Sequence, residues 1–318
     1  LKWNPVLIGS ALGLFSAAVY TCTNICLREV ARSDPFWVSC IKATPTLLLA
    51  SGLLIYRRLK GQRSWPGWPI LGLLVVVGLI AQVLGNVMFQ YALGVVGIAL
   101  SVPLTFGTLI LSGAVLGRMW LKEPITPRAA IAVTLLIASI AILSTGAKAA
   151  ERVVESGTAE VHSPWHVALG VGAACISGVA YGLLGVVLRG VTPANAPLGA
   201  TLFVISGVGT ISLGLWSVSR LGWSGLIETP AADFSYMWWA GVFNAVAFVA
   251  LIQALSIAPL VHVNAVNSSQ TAMAAVAGIL IFGEPLTLTL ALGVGLTTAG
   301  LLLLDHREKK PQHEPATH

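Results

Sequence analysis

The chain has 318 residues, of which 56% are hydrophobic and 9% charged, with a formal net charge of +6. A soluble domain carries roughly 25% charged residues to cover its surface. This composition, with a mean hydropathy of +0.86, therefore excludes a soluble enzyme, a disordered chain and a secreted disulfide scaffold, and makes lipid the main solvent.

Taken in chain order, apolar segments fall at about 5–27, 36–56, 68–89, 96–119, 128–145, 166–188, 197–217, 237–254, 260–282 and 287–304. Each is near the 20 residues a helix needs to cross about 30 Å of hydrocarbon. None alternates apolar and polar residues as barrel strands do. The fold class predicted is an all-α integral membrane protein with ten transmembrane helices. Residues 148–164 form a polar connector containing Glu151, Arg152, Glu155 and Glu160, and 305–318 a polar tail expected to be disordered. All ten tryptophans, from Trp3 to Trp239, fall at or near segment ends, where an amphipathic indole meets the interface.

Basic residues gather in short clusters between the apolar runs, such as Arg57, Arg58, Lys60 and Arg63. That pattern sets topology and does not build a nucleic-acid face. With the N-terminus in the cytoplasm, twelve Lys and Arg fall inside and five outside, which predicts both termini cytoplasmic. Lys42 remains within a span. The four cysteines, Cys22, Cys26, Cys40 and Cys175, lie in apolar runs and read as small hydrophobes.

The two halves repeat. At a shift of 161, Gly9 meets Gly170, Ser16 meets Ser177, Tyr20 meets Tyr181, Arg28 meets Arg189, and Glu123-Pro124 meets Glu284-Pro285. One residue of slip aligns Gln82 with Asn244. The reading is a five-helix unit over 1–147 and its copy over 165–304. An odd number of spans inserts the copies in opposite orientation, which is a device of transporters with alternating access. The first span, which follows Lys2 and could pass for a signal peptide, is read as retained because it has a counterpart in the second half.

Ten spans in two halves, each closing on Glu-Pro-Ile/Leu-Thr (123–126 and 284–287) before a last helix that in the second half carries Gly293, Gly295 and Gly300, resemble the EamA-type branch of the drug/metabolite transporter superfamily. The stretch 35–50 is similar to that family's second helix, with Lys42 where the family commonly carries Arg. The resemblance covers essentially the whole chain. It implies a secondary carrier of small metabolites, often an exporter of amino acids or related compounds, in a bacterial inner membrane.

The residues give the candidate site. A central ammonium costs about 3 kcal/mol or more in lipid, so Lys42 needs a partner or a polar cavity. It either meets substrate or gates access, or it snorkels to the interface or makes a structural hydrogen bond. Asn264, Asn267, Ser268 and Thr271 form one stripe of the ninth span, lining a wet cavity or gluing helices together. Ser101, Thr105, Thr108 and Ser112 do the same in the fourth, where hydroxyls can also bond their own backbone. Gln82, Asn86 and Gln90 share a side of the third span, answered by Asn244 from the eighth. Ser16, Tyr20 and Asn24 share a side of the first, answered by Ser177 and Tyr181. Glu123 and Glu284 read as caps of the helices that follow them. Arg28 and Arg189 read as interface anchors, with a gating salt bridge as the other reading.

There is no phosphate-binding Gly-rich loop, no carboxylate in mid-membrane and no regular series of Arg. No cofactor or metal is called for. The partners expected are a small-molecule substrate and the lipid bilayer, with no nucleic acid; the coupling ion is left open. The alternative is an intramembrane lipid-modifying or Ser/His hydrolytic enzyme, for which His262 with Ser268 or Ser269 is the one available pair.

Overall fold

In lipid a backbone must satisfy its own hydrogen bonds, and the computed structural model answers with helices. It describes residues 5–62, 65–120, 131, 134–143, 145, 164–191, 197–257, 266, 267 and 269–305, with no strand among them. The helices are α1 (Pro5–Glu29), α2 (Pro35–Leu59), α3 (Trp68–Val96), α4 (Ile98–Trp120), α5 (Thr134–Leu143), α6 (Pro164–Gly190), α7 (Leu198–Ile227), α8 (Ala231–Ile257), α9 (Ser269–Phe282) and α10 (Leu288–Asp305). Seven are long and apolar enough to cross a membrane; α5, α9 and α10 are shorter apolar helices over the described residues. The predicted spans 128–145 and 260–282 both extend into residues outside that set, as do the connector and nearly all of the tail.

Three helices run well past the predicted apolar spans. The third helix runs past the predicted limit of 89 to Val96, because Gln90 is buried and its amide donates to Leu27 O at 2.9 Å and Val30 O at 3.3 Å. It stops at Gly97, whose φ of 77° lies in the left-handed region. The seventh helix continues past 217 to Ile227 through a bend at Gly222. The eighth starts at Ala231 rather than 237, directly after Pro230, with Asp233 in its first turn to offset the dipole. Asp34 caps α2 by accepting from Phe36 N and Trp37 N at 3.0 Å, and Pro35 follows at a position that needs no N–H.

The packing repeats as the sequence does. Helix α1 packs on α8 as α6 packs on α3. Helix α2 packs on α8 as α7 packs on α3, and α4 packs on α6 as α9 packs on α1. The pairs α2–α7 and α4–α9 map onto themselves under exchange of the halves. Large apolar side chains such as Leu7, Ile55, Trp68, Ile211, Leu215 and Leu280 remain exposed on the outside of this bundle. A water-soluble protein rarely exposes so much apolar surface; lipid covers it here.

Small residues set the closest approach, as is usual between helices in membranes. On α6 a Cβ at Gly178 would run into Thr108 Oγ1 and Thr105 O, and one at Gly182 into Ser112 Oγ and Leu109 O. Gly172 and Gly185 on the same helix have open space. Gly178→Ala and Gly182→Ala are therefore expected to push α6 from α4 and to cost about 1–3 kcal/mol. Gly172→Ala and Gly185→Ala should match or exceed the parent, since Ala is the better helix former. Melting in detergent, followed by size-exclusion of the surviving monodisperse fraction, checks this.

Candidate functional site

Four side chains meet where the two halves join. Lys42 of α2 points its ammonium at Asn86 of α3, with Nζ donating to Oδ1 at 2.7 Å. The Tyr181 hydroxyl of α6 donates to the same oxygen at 2.6 Å. Asn86 Nδ2 donates to Gln82 Oε1 at 2.6 Å, and Gln82 Nε2 donates to Ile205 O of α7 at 3.1 Å. An ammonium has only protons to offer, so it fixes Asn86 with its oxygen towards Lys42 and Tyr181. The amide of Gln82 then follows in register. One chain of hydrogen bonds thus ties α2, α3, α6 and α7.

Local structure delivers these groups. Helix α3 widens into a π-helical stretch over Ala81–Val87, which holds both Gln82 and Asn86; such wide turns often accompany functional sites. The Tyr181 ring lies against Gly85, and the Gln82 side chain lies against Gly209 of α7. Pro45 interrupts α2 one turn after Lys42 and leaves the carbonyl of Ile41 without its usual donor. Gly241 of α8 seats against Lys42 O and the Pro45 ring.

Lys42 is 9% exposed, and its partner Asn86 is ten residues from Val96, about 15 Å along the helix. The stem therefore runs into the bundle. Among the described residues no carboxylate pairs with it, and Asn86 uses one of its three protons. The result is a buried cation held by a neutral amide, with capacity for an anionic group.

The other sequence-predicted residues divide. Tyr20 is half-buried on α1. Asn24, one turn further, is buried, and its Nδ2 has no acceptor among the described residues. Asn244 is half-buried on α8. Asn267 is half-buried with Oδ1 unpartnered among the described residues, and Thr271 is fully buried. Asn264, together with His262, Ser268 and Glu123, lies outside the described residues. Thr105 donates to Ala174 O of α6 at 3.1 Å, while Thr108 and Ser112 bond their own helix. Ser16 donates to Ala247 O of α8 at 2.8 Å. These hydroxyls join helices or satisfy their own turns; they are not part of the Lys42 network.

Sequence reasoning missed how Glu284 is used. It does not cap α10, which follows it. It reaches into the other half and caps α4, accepting from Ile98 N and Ala99 N at 2.8 Å each, with Arg28 Nε 3.4 Å away. The salt-bridge reading of Arg28 has its partner here, but neither that reading nor the recurrence of Arg and Glu in the repeat named Glu284.

A lipid-exposed helical bundle with internally symmetric packing and a polar network at the junction of its halves is the architecture of a membrane transporter. The comparisons agree. The EamA-like transporter family matches residues 5–145 and 168–304, and the chain belongs to that family, within the drug/metabolite transporter superfamily. No curated protein matches it. A crystal structure of a protein matches with a TM-score of 0.59 at 12% identity, over 93% of this chain and 95% of that one, a likeness of fold alone.

Proposed function

We propose that the protein is a secondary-active exporter of small metabolites such as amino acids, working by alternating access around the Lys42–Asn86–Tyr181–Gln82 cluster. In this reading ten helices cross a bacterial inner membrane with both termini in the cytoplasm. The observation that carries it is the buried ammonium of Lys42, held at the junction of the halves by the Asn86 oxygen, which also accepts from Tyr181. A site there is reached from either side as the halves exchange roles. A carboxylate entering the cluster would meet an uncompensated cation and form a charge-assisted hydrogen bond. The substrate class that fits is therefore a small metabolite bearing a carboxylate.

Counterflow into proteoliposomes, with a panel of radiolabelled amino acids and organic acids, tests this. Saturable exchange of at least one carboxylate-bearing compound is expected. Lipid turnover in detergent without any exchange would favour the intramembrane enzyme instead. The hydroxyl of Ser269, one member of that enzyme's possible pair, is spent on Val266 O at 2.6 Å.

A further inference from the structure

Glu284 is 2% exposed, and both of its oxygens are committed across the boundary between the halves. Oε1 accepts from Ile98 N and Oε2 from Ala99 N, so the carboxylate takes two of the N–H groups that the start of α4 leaves without intrahelical partners. Arg28, at the last turn of α1, closes the triangle from the other side, with its guanidinium 5.3 Å from the Phe282 ring. The seat is shaped for the carboxylate. Gly97 and Gly278 leave it room, since a Cβ at either would collide with its oxygens.

The same end of the bundle carries three more ties. Ser33 Oγ donates to Asp233 Oδ2 at 3.2 Å, Trp37 Nε1 donates to Thr229 Oγ1 at 3.1 Å, and Arg220 lies 3.5 Å from Asp34. Each of them, like the Glu284 cluster, joins a residue of the first half to one of the second. Directly beneath, Leu27, Val38, Leu93, Val102 and Met237 pack into one dry cluster from five helices.

We propose that this end is the closed gate of the pathway, that Glu284 is its latch, and that release of the α4 N-terminus and Arg28 by Glu284 is a step of the transport cycle. The inference rests on the transporter reading. Moving one half against the other must break contacts that join them. The exposed ion pair of Arg220 with Asp34 is weak, and the Ser33 and Trp37 bonds are single neutral-donor contacts. The Glu284 contacts are charge-assisted, buried and three in number, so they set the balance between shut and open.

The test uses the full chain in membrane vesicles, with the four native cysteines replaced and one new cysteine at Ser101. That position is fully buried, one turn inside the latch. A membrane-impermeant methanethiosulfonate reagent probes it from each side. Labelling from one side is expected to be slow in the parent. It should be about tenfold faster or more in Glu284→Gln, which keeps the shape and loses the charge. Arg28→Gln should show a smaller increase on the same side. A cysteine at Ala50, fully buried near the end of α2 far from the latch, should stay unlabelled in all of them. Faster labelling at both positions would mean general loosening and would overturn the latch, as would unchanged labelling at Ser101. Should Glu284→Gln fail to reach the membrane, Arg28→Gln decides by the same criterion. The assay needs no substrate: absence of flux in the parent sinks the transporter reading, whereas flux with indifferent labelling sinks the gate alone.

Discussion

Lys42→Met is expected to fold and to lose about tenfold to a hundredfold in the ratio of maximal flux to half-saturation concentration for a carboxylate substrate. That range corresponds to one charge-assisted hydrogen bond of about 1.5–3 kcal/mol. Folding should survive because Met matches the length of the stem and removes a buried charge at the same stroke. Asn86 Oδ1 still accepts from Tyr181, so no polar group is left bare. Lys42→Arg keeps the charge but offers a planar fork where a compact ammonium stood. It should retain part of the flux, with weaker apparent affinity. Reconstituted initial rates for parent, Met and Arg variants check the order. Equal flux in Lys42→Met would make Lys42 a structural donor to Asn86, and the substrate need not be anionic.

The bundle was legible in the sequence because lipid leaves the backbone few choices. A run of about 20 apolar residues has to be helical, and self-similarity at a shift of 161 identified its duplication. Lys42, Gln82 and Asn86 were legible for a related reason: an amide or ammonium inside a span is costly unless it has a partner. The partner itself was not legible. Periodicity places Gln82 above Asn86 on one helix, but nothing local says that Lys42 of α2 and Tyr181 of α6 converge on the same Asn86 oxygen. The fourth-span stripe shows the limit from the other side. Thr105, Thr108 and Ser112 share a face, and that face meets α6, because Gly178 and Gly182 let the α6 backbone come down onto it. A hydroxyl stripe looks the same in sequence whether it faces a cavity or a glycine ridge. Locally, Glu284 reads as a cap of the helix after Pro285, whereas its oxygens serve the first turn of a helix 185 residues earlier in the chain.

Asn86→Asp separates a charge role for Lys42 from a merely polar one, and its expected outcome is a folded protein that no longer moves anionic substrate. The change is nearly isosteric. The new carboxylate sits where Oδ1 now lies 2.7 Å from Lys42 Nζ and 2.6 Å from the Tyr181 hydroxyl, and both donors still fit. One bond is lost, because Asn86 Nδ2 no longer donates to Gln82 Oε1. The Gln82 amide must then turn over and release Ile205 O, at a cost of about 1 kcal/mol. Against that stands a new ion pair. Two unit charges 4 Å apart attract by about 4 kcal/mol at an effective dielectric of 20, part of which offsets the desolvation of the new carboxylate. Thermal stability should therefore stay near the parent's. Transport should not, because Lys42 now has its counter-ion within the protein and a substrate carboxylate meets a neutral pair. A loss of about a hundredfold or more in flux is the expected size, given that attraction. Adding Lys42→Met to Asn86→Asp strands the carboxylate without its cation. The double variant should fall in stability by about 3–5 kcal/mol, as when one member of a buried pair is removed. Melting curves of the four proteins with initial rates of uptake give both readouts, and normal anionic flux in Asn86→Asp would show that the Lys42 charge takes no part in recognition.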